Sequence, residues 1–127
     1  MVRQLFFVAM GGAVGALARW GLATVVKNWL GQSLPWGTAA VNVLGSLLFG
    51  LVWAATEGRV PIATTSRLLI LTGFMGSFTT FSTYMFDTAA LIHQDRWSAA
   101  AGQLVAQIAL GLGGVFAGMW LGKGLAG

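Results

Sequence analysis

Acidic residues are nearly missing from this chain. Glu57, Asp87 and Asp95 are the only three in 127 positions, and cysteine does not occur at all. Without cysteine there is no disulfide framework, no thiol nucleophile and no sulfur-ligated metal site, so oxidation chemistry has no foothold. The single histidine, His93, falls in a predicted loop without a cysteine or carboxylate set around it. Neither a phosphate-binding loop nor a dinucleotide fingerprint is present, which removes the common enzymatic readings. The seven Lys and Arg residues are scattered singly, so the net charge of +4 reflects scarce acids rather than a basic patch. That spacing argues against a nucleic-acid partner.

What the chain does contain is apolar: 57% of its residues are hydrophobic and only 8% charged, against about 25% charged in soluble domains. The composition is that of an integral membrane protein. A helix needs about 20 apolar residues to cross ~30 Å of hydrocarbon, and four segments qualify, at roughly 4–28, 37–56, 65–92 and 99–122. Turn-forming stretches separate them: Gly31 to Pro35, Glu57 to Pro61, and His93 to Trp97. The fold class predicted is therefore a single all-α transmembrane domain of four helices. Arg3, the apolar run after it and Ala16-Leu17-Ala18 imitate a signal peptide. The run continues past the supposed cleavage point through Val26, so this helix is expected to be retained.

Four spans put both termini on one face with the second connection, giving that face Arg3, Arg59, Arg67 and Lys123 against Lys27 and Arg96 on the other. Glu57 and Asp95 soften even this bias, so the positive-inside rule orients the chain only weakly and insertion both ways round is open to it. Trp29, Trp36 and Trp97 fall at one set of helix ends and Trp53 and Trp120 at the other, as interfacial belts require. Four helices this short fill their own centre. An assembly is thus the expected working unit, with the GxxxG pairs Gly11 to Gly15, Gly114 to Gly118 and Gly118 to Gly122 available to pack either the subunit or a second copy.

The third span carries the chemistry. From Gly73 to Tyr84 it holds Gly73, Gly76, Ser77, Thr79, Thr80, Ser82 and Thr83. Polar, glycine-broken backbone survives at membrane depth only when buried in protein or lining a wet cavity, so a break is expected near 73–83. Arg19 lies about 22 Å along the first helix, and Asn42 near the start of the second. Intramembrane charge of this kind is a functional signal, with snorkelling to the interface as the bland alternative for Arg19 and an interhelical hydrogen bond for Asn42. The set offers a guanidinium, an amide and hydroxyls, while the only carboxylate within a span is Asp87, late in the third. Such donors suit a small anion. Phe78, Phe81 and Tyr84 recur every third residue and are expected to share a helical face, where ring edges can solvate a compact anion weakly.

These residues resemble a known family of small fluoride channels, called Fluc or CrcB, over essentially the whole chain. The glycine-rich stretch from Gly11 to Arg19 and Trp20, the run from Trp36 and Gly37-Thr38 to Val41-Asn42, Thr72-Gly73-Phe74, and Thr79-Thr80-Phe81-Ser82-Thr83 occur in the family's order and spacing. The resemblance implies a dual-topology antiparallel homodimer with two fluoride pathways along its interface. It also implies a central structural sodium ion held by backbone carbonyls of both subunits, here those of Gly76 and Thr79. It maps the pore-facing asparagine to Asn42, the vestibule arginine to Arg19 and the first box phenylalanine to Phe81. The expected anion-binding set is then Arg19, Asn42, Phe78, Phe81, Ser82, Thr83 and Tyr84.

The chain departs from that pattern at Tyr84, where the second box phenylalanine is expected, and at Asp87, where a glutamate is usual. Gly111 and Gln107 stand where relatives commonly place a serine and an Asn or His. The tyrosine hydroxyl can donate to the anion, hydrate the path or obstruct it. The function expected is passive, electrodiffusive export of cytoplasmic fluoride through several weak sites. The competing reading is a small proton-coupled drug or metabolite exporter, which needs an early membrane carboxylate that this chain lacks. A third, a membrane subunit that only packs against a larger complex, leaves the polar third span unexplained.

Overall fold

The computed structural model describes residues 1–57 and 62–127. Arg59 and Pro61, placed by the sequence in the second connection, lie outside the described residues. Among those described, every regular element is helical. The four long helices are α1 (Val2–Leu30), α2 (Trp36–Thr56), α3 (Thr64–His93) and α4 (Trp97–Ala126), each apolar enough to cross a membrane. Even α2, with 21 residues, extends about 32 Å, enough for the hydrocarbon layer. The chain is a multi-pass membrane protein.

Local chemistry ends the helices. α1 stops at Gly31, whose φ of 84° suits a residue without Cβ, and whose N–H closes on the Lys27 carbonyl at 2.9 Å. Between α3 and α4 the chain turns through Asp95 at φ 57°, a left-handed conformation that short acidic side chains tolerate. The Asp95 and Arg96 amides return to the carbonyls of Ile92 and Leu91, both at 2.9 Å. Arg96 also donates from its guanidinium to the Ser33 carbonyl, tying this turn to the α1–α2 connection. One end of the bundle is thus a pair of joined loops, flanked by the exposed Trp29, Trp36 and Trp97.

Lipid tails are as apolar as leucine, so packing between these helices comes from close approach rather than a hydrophobic drive. Glycines supply it. A Cβ on Gly11 would run into the Leu69 carbonyl, and one on Gly15 into the Phe74 carbonyl, which seats α1 on the first half of α3. On the other side Gly114, Gly118 and Gly122 of α4 face the backbone of Val43, Leu47 and Leu51 in α2, while Gly50 of α2 faces Val115. All three GxxxG pairs therefore pack the subunit itself, and the glycine content lends no weight to self-association.

α3 is not one regular rod. After an α-helical start at Thr64–Arg67, Leu68–Met75 is wound as a π-helix where it meets the glycines of α1. After Gly76–Phe78 the chain becomes extended at Thr79 (φ −84°, ψ 157°) and Thr80 (φ −148°, ψ 112°), then resumes as Phe81–His93. The glycines expected to break the span, Gly73 and Gly76, stay helical. The break falls on two β-branched threonines, whose side chains favour extended backbone, and the second of them caps the next segment.

Candidate functional site

Extended backbone inside a membrane leaves peptide groups that must find partners. Asn42, arriving from α2, provides them for Thr80. Its Oδ1 accepts the Thr80 N–H at 2.7 Å and its Nδ2 donates to the Thr80 carbonyl at 3.1 Å. One side-chain amide thus stands in for a strand neighbour. Thr80 in turn starts the second half of α3 as an N-cap, its Oγ1 accepting the Thr83 N–H at 3.2 Å and donating to Thr83 Oγ1 at 2.9 Å. Having accepted there, the Thr83 hydroxyl keeps its own hydrogen to give.

Two other carbonyls are freed in consequence. In an unbroken helix the Gly76 carbonyl would receive the Thr80 N–H and the Thr79 carbonyl the Thr83 N–H. Both amides are diverted, one to Asn42 and the other to Thr80 Oγ1.

Beside the break lies an open cavity of about 550 Å³ between the second half of α1, the start of α2 and the second half of α3. Arg19, Lys27 and Arg96 line it together with one carboxylate, Asp87, and with Thr38, Thr80 and Thr83. Asp87 is held by the Thr38 hydroxyl, which donates to its Oδ2 at 2.6 Å. The result is a polar mouth in which cations outnumber acids, leading toward the extended threonines. Such a funnel concentrates anions at its entrance.

The family model described as CrcB-like protein, Camphor Resistance (CrcB), matches residues 6–119. The chain belongs to the CrcB family. CrcB relatives named Fluoride-specific ion channel FluC include one from Solidesulfovibrio magneticus, 47% identical over 97% of this chain and 98% of its own length. Another, from Nitrosococcus oceani, is 44% identical with the same coverage. A more distant one from Magnetococcus marinus is 38% identical over 94% of this chain and 98% of the relative.

Within this CrcB chain the residues singled out by sequence do not all meet. Arg19 and Thr83 share the cavity. Phe81 and Ser82 point outward from the second half of α3, with Phe81 72% exposed. Phe78 does not share their face: it is 4% exposed, stacks on Phe74 at 5.6 Å and packs over Gly45. Every-third spacing fails as a guide here because Thr79 and Thr80 are extended, which resets the helical phase between Phe78 and Phe81. Tyr84 does meet Phe81 edge to face at 6.1 Å, yet it is only 6% exposed and gives its O–H to the Leu104 carbonyl at 2.5 Å. Its one hydrogen is used within the subunit, so of its three possible roles anion donation is not open in this arrangement.

Asn42 likewise has both N–H groups engaged, the second by Gln107 Oε1 at 2.9 Å. The sequence marks Gln107 only as a departure from the relatives' pattern and does not pair it with Asn42, and it passes over Gln103 and Thr88 beyond it. The signal was a Gln–Gln spacing of one helical turn on α4 opposite Asn42. In the sequence Thr38 is part of a motif and Asp87 the lone acid within a span, and their pairing needs the packing of α2 against α3 to become visible.

Proposed function

We propose that this CrcB protein is a fluoride-selective channel, working as an antiparallel homodimer in a bacterial inner membrane and passing fluoride outward without coupling to another gradient. The relatives' name supplies the ion. The observation that carries the reading is the cation-rich cavity joined to the break in α3, where Arg19 and the free hydrogen of Thr83 face a route with one carboxylate. Ser82 and the edge of Phe81 extend that donor surface to the outside of the subunit. Stepwise exchange of water for such donors, none of them strong enough alone to trap the ion, is what conduction requires. An inside-negative membrane drives each fluoride outward with about 2.3 kcal/mol per 100 mV.

The second copy is supported by Phe81 and Phe86, 72% and 73% exposed beside the break, and by a charge distribution that permits both insertions. Half of the path then lies on each partner. A central sodium fits the donor set, because the Gly76 and Thr79 carbonyls lack their helical amides and hard cations take oxygen ligands. Bound there, it would supply fixed positive charge and a bond between the copies.

Proteoliposomes loaded with fluoride and given a shunt for counter-charge should empty rapidly, whereas chloride-loaded vesicles should hold their content. Equal release of both ions would remove the selectivity. Phe81→Ile, on an exposed side chain, should cut fluoride release while leaving the folded yield unchanged. Drug-driven proton movement in the same vesicles would instead favour the exporter reading.

A further inference from the structure

We infer that Gln103 and Gln107 are positioning residues for the pathway, acting through Asn42 to hold one of its N–H groups away from the passing ion. The Thr80 backbone N–H can only donate, so the Asn42 atom facing it at 2.7 Å must be oxygen. The Asn42 nitrogen is then turned to the Thr80 carbonyl and to Gln107, which has to present Oε1 at 2.9 Å. Gln107 accordingly shows its nitrogen to Gln103 Oε1 at 2.8 Å. Gln103 gives its own N–H to the Thr88 hydroxyl, and Thr88 donates to the Tyr84 carbonyl at 2.8 Å.

Reversing Gln107 sets its N–H against that of Asn42 and its oxygen against the Gln103 oxygen, and reversing Gln103 sets its N–H against that of Gln107. The hydrogen bonds therefore run in one direction, from the break through α4 and back to the second half of α3. Bonds aligned in this way polarise one another. Gln107 is 7% exposed, which leaves little room for water to take its place.

This inference rests on the channel reading for its functional half: an ion moving past Thr80, which lines the cavity and is bonded to Asn42, competes with Gln107 Oε1 for the Asn42 hydrogen. Gln107 thus weakens anion retention at the break, as fast release requires. The expected effect follows from the worth of one hydrogen bond. In Gln107→Met, which keeps length and apolar packing, the half-saturating fluoride concentration should fall about fivefold, and the maximal flux should fall with it. Gln103→Met touches neither Asn42 nor the cavity, yet should move both quantities the same way by a smaller factor. The double variant should do no more than Gln107→Met alone, since the two residues act in series.

A second measurement reads the chain without transport. In detergent micelles the side-chain amide protons of Asn42 should give two well-separated NMR signals, one of which moves upfield in each single variant. Asn42 signals that stay unchanged in Gln103→Met would overturn the serial arrangement. An unchanged half-saturating concentration in Gln107→Met, with the signals moved, would overturn the competition with the ion. If Gln107→Met does not fold, Gln103→Met, at a half-exposed position, decides both points. Absence of any fluoride flux in the unaltered protein would sink the channel reading, while the Asn42 signals would still decide the amide chain.

Discussion

Toward the end of α4, α2 and α4 touch backbone to backbone through Gly50, Gly114, Gly118 and Gly122. Two turns earlier on α4 the same helices are joined by the amides of Asn42 and Gln107. The glycine seam gains only dispersion contacts and tolerates no added atom at Gly50, Gly118 or Gly122. The amide layer meets through two long polar side chains, holds a break in a third helix and leaves Thr80 next to a cavity. One helix pair can thus be rigid at one end and chemically addressable at the other, the difference lying in side-chain length at successive turns.

The seam should break first. Gly118→Val places carbon against the Leu47 carbonyl and within 2.8 Å of the Leu51 nitrogen, both backbone atoms that cannot turn aside. A loss of about 3 kcal/mol or more is expected from such overpacking, read as little or no monodisperse protein after detergent extraction. Asn42→Ala should cost less in stability, about 2 kcal/mol from the orphaned Thr80 N–H and carbonyl, and more in function. Its signature is folded protein that melts earlier and conducts poorly.

That ordering also marks what the sequence could reveal. Hydropathy located four spans because each presents an apolar run of sufficient length, and the threonines and serines in the third identified the polar one. The position of the break was less accessible. Glycine is the usual signal for irregular backbone, yet Gly73 lets α1 approach within contact of its helix while the extended residues are Thr79 and Thr80. Phe78 was then assigned to the wrong face, since helical spacing has no meaning across an extended pair. Gln103 belongs to no motif, and Gln107 stands out in the sequence only as a departure from the relatives' pattern. Only the packing of α4 on α2 brings them to Asn42.

Smaller effects sharpen the boundary between the two modes. Tyr84→Phe removes a single hydrogen bond, that to the Leu104 carbonyl, and should lower stability by about 1 kcal/mol with fluoride release retained. A large loss of flux would return the hydroxyl to the ion path. Gly111→Ser sits between seam and amide layer, where a Cβ meets only Ser46 Oγ at 3.6 Å, an ordinary contact. Stability should change by less than about 0.5 kcal/mol, as at positions without steric or polar conflict. Thermal unfolding followed by fluorescence of the tryptophans places Asn42→Ala, Tyr84→Phe and Gly111→Ser on one scale.

The pairing of Asn42 with Thr80 reaches across 38 positions, with the amide on the earlier helix. A nascent chain emerges from its N-terminus, so α2 is made before the irregular segment that depends on it. The least hydropathic of the four spans, at 1.2 against 1.5 to 1.8 for the others, can thus enter the bilayer beside a helix that already offers the matching amide. Moving that asparagine to a later helix would preserve the final contact yet oblige the translocon to release a span with bare peptide groups. Gene order is in this sense part of how the fold is reached.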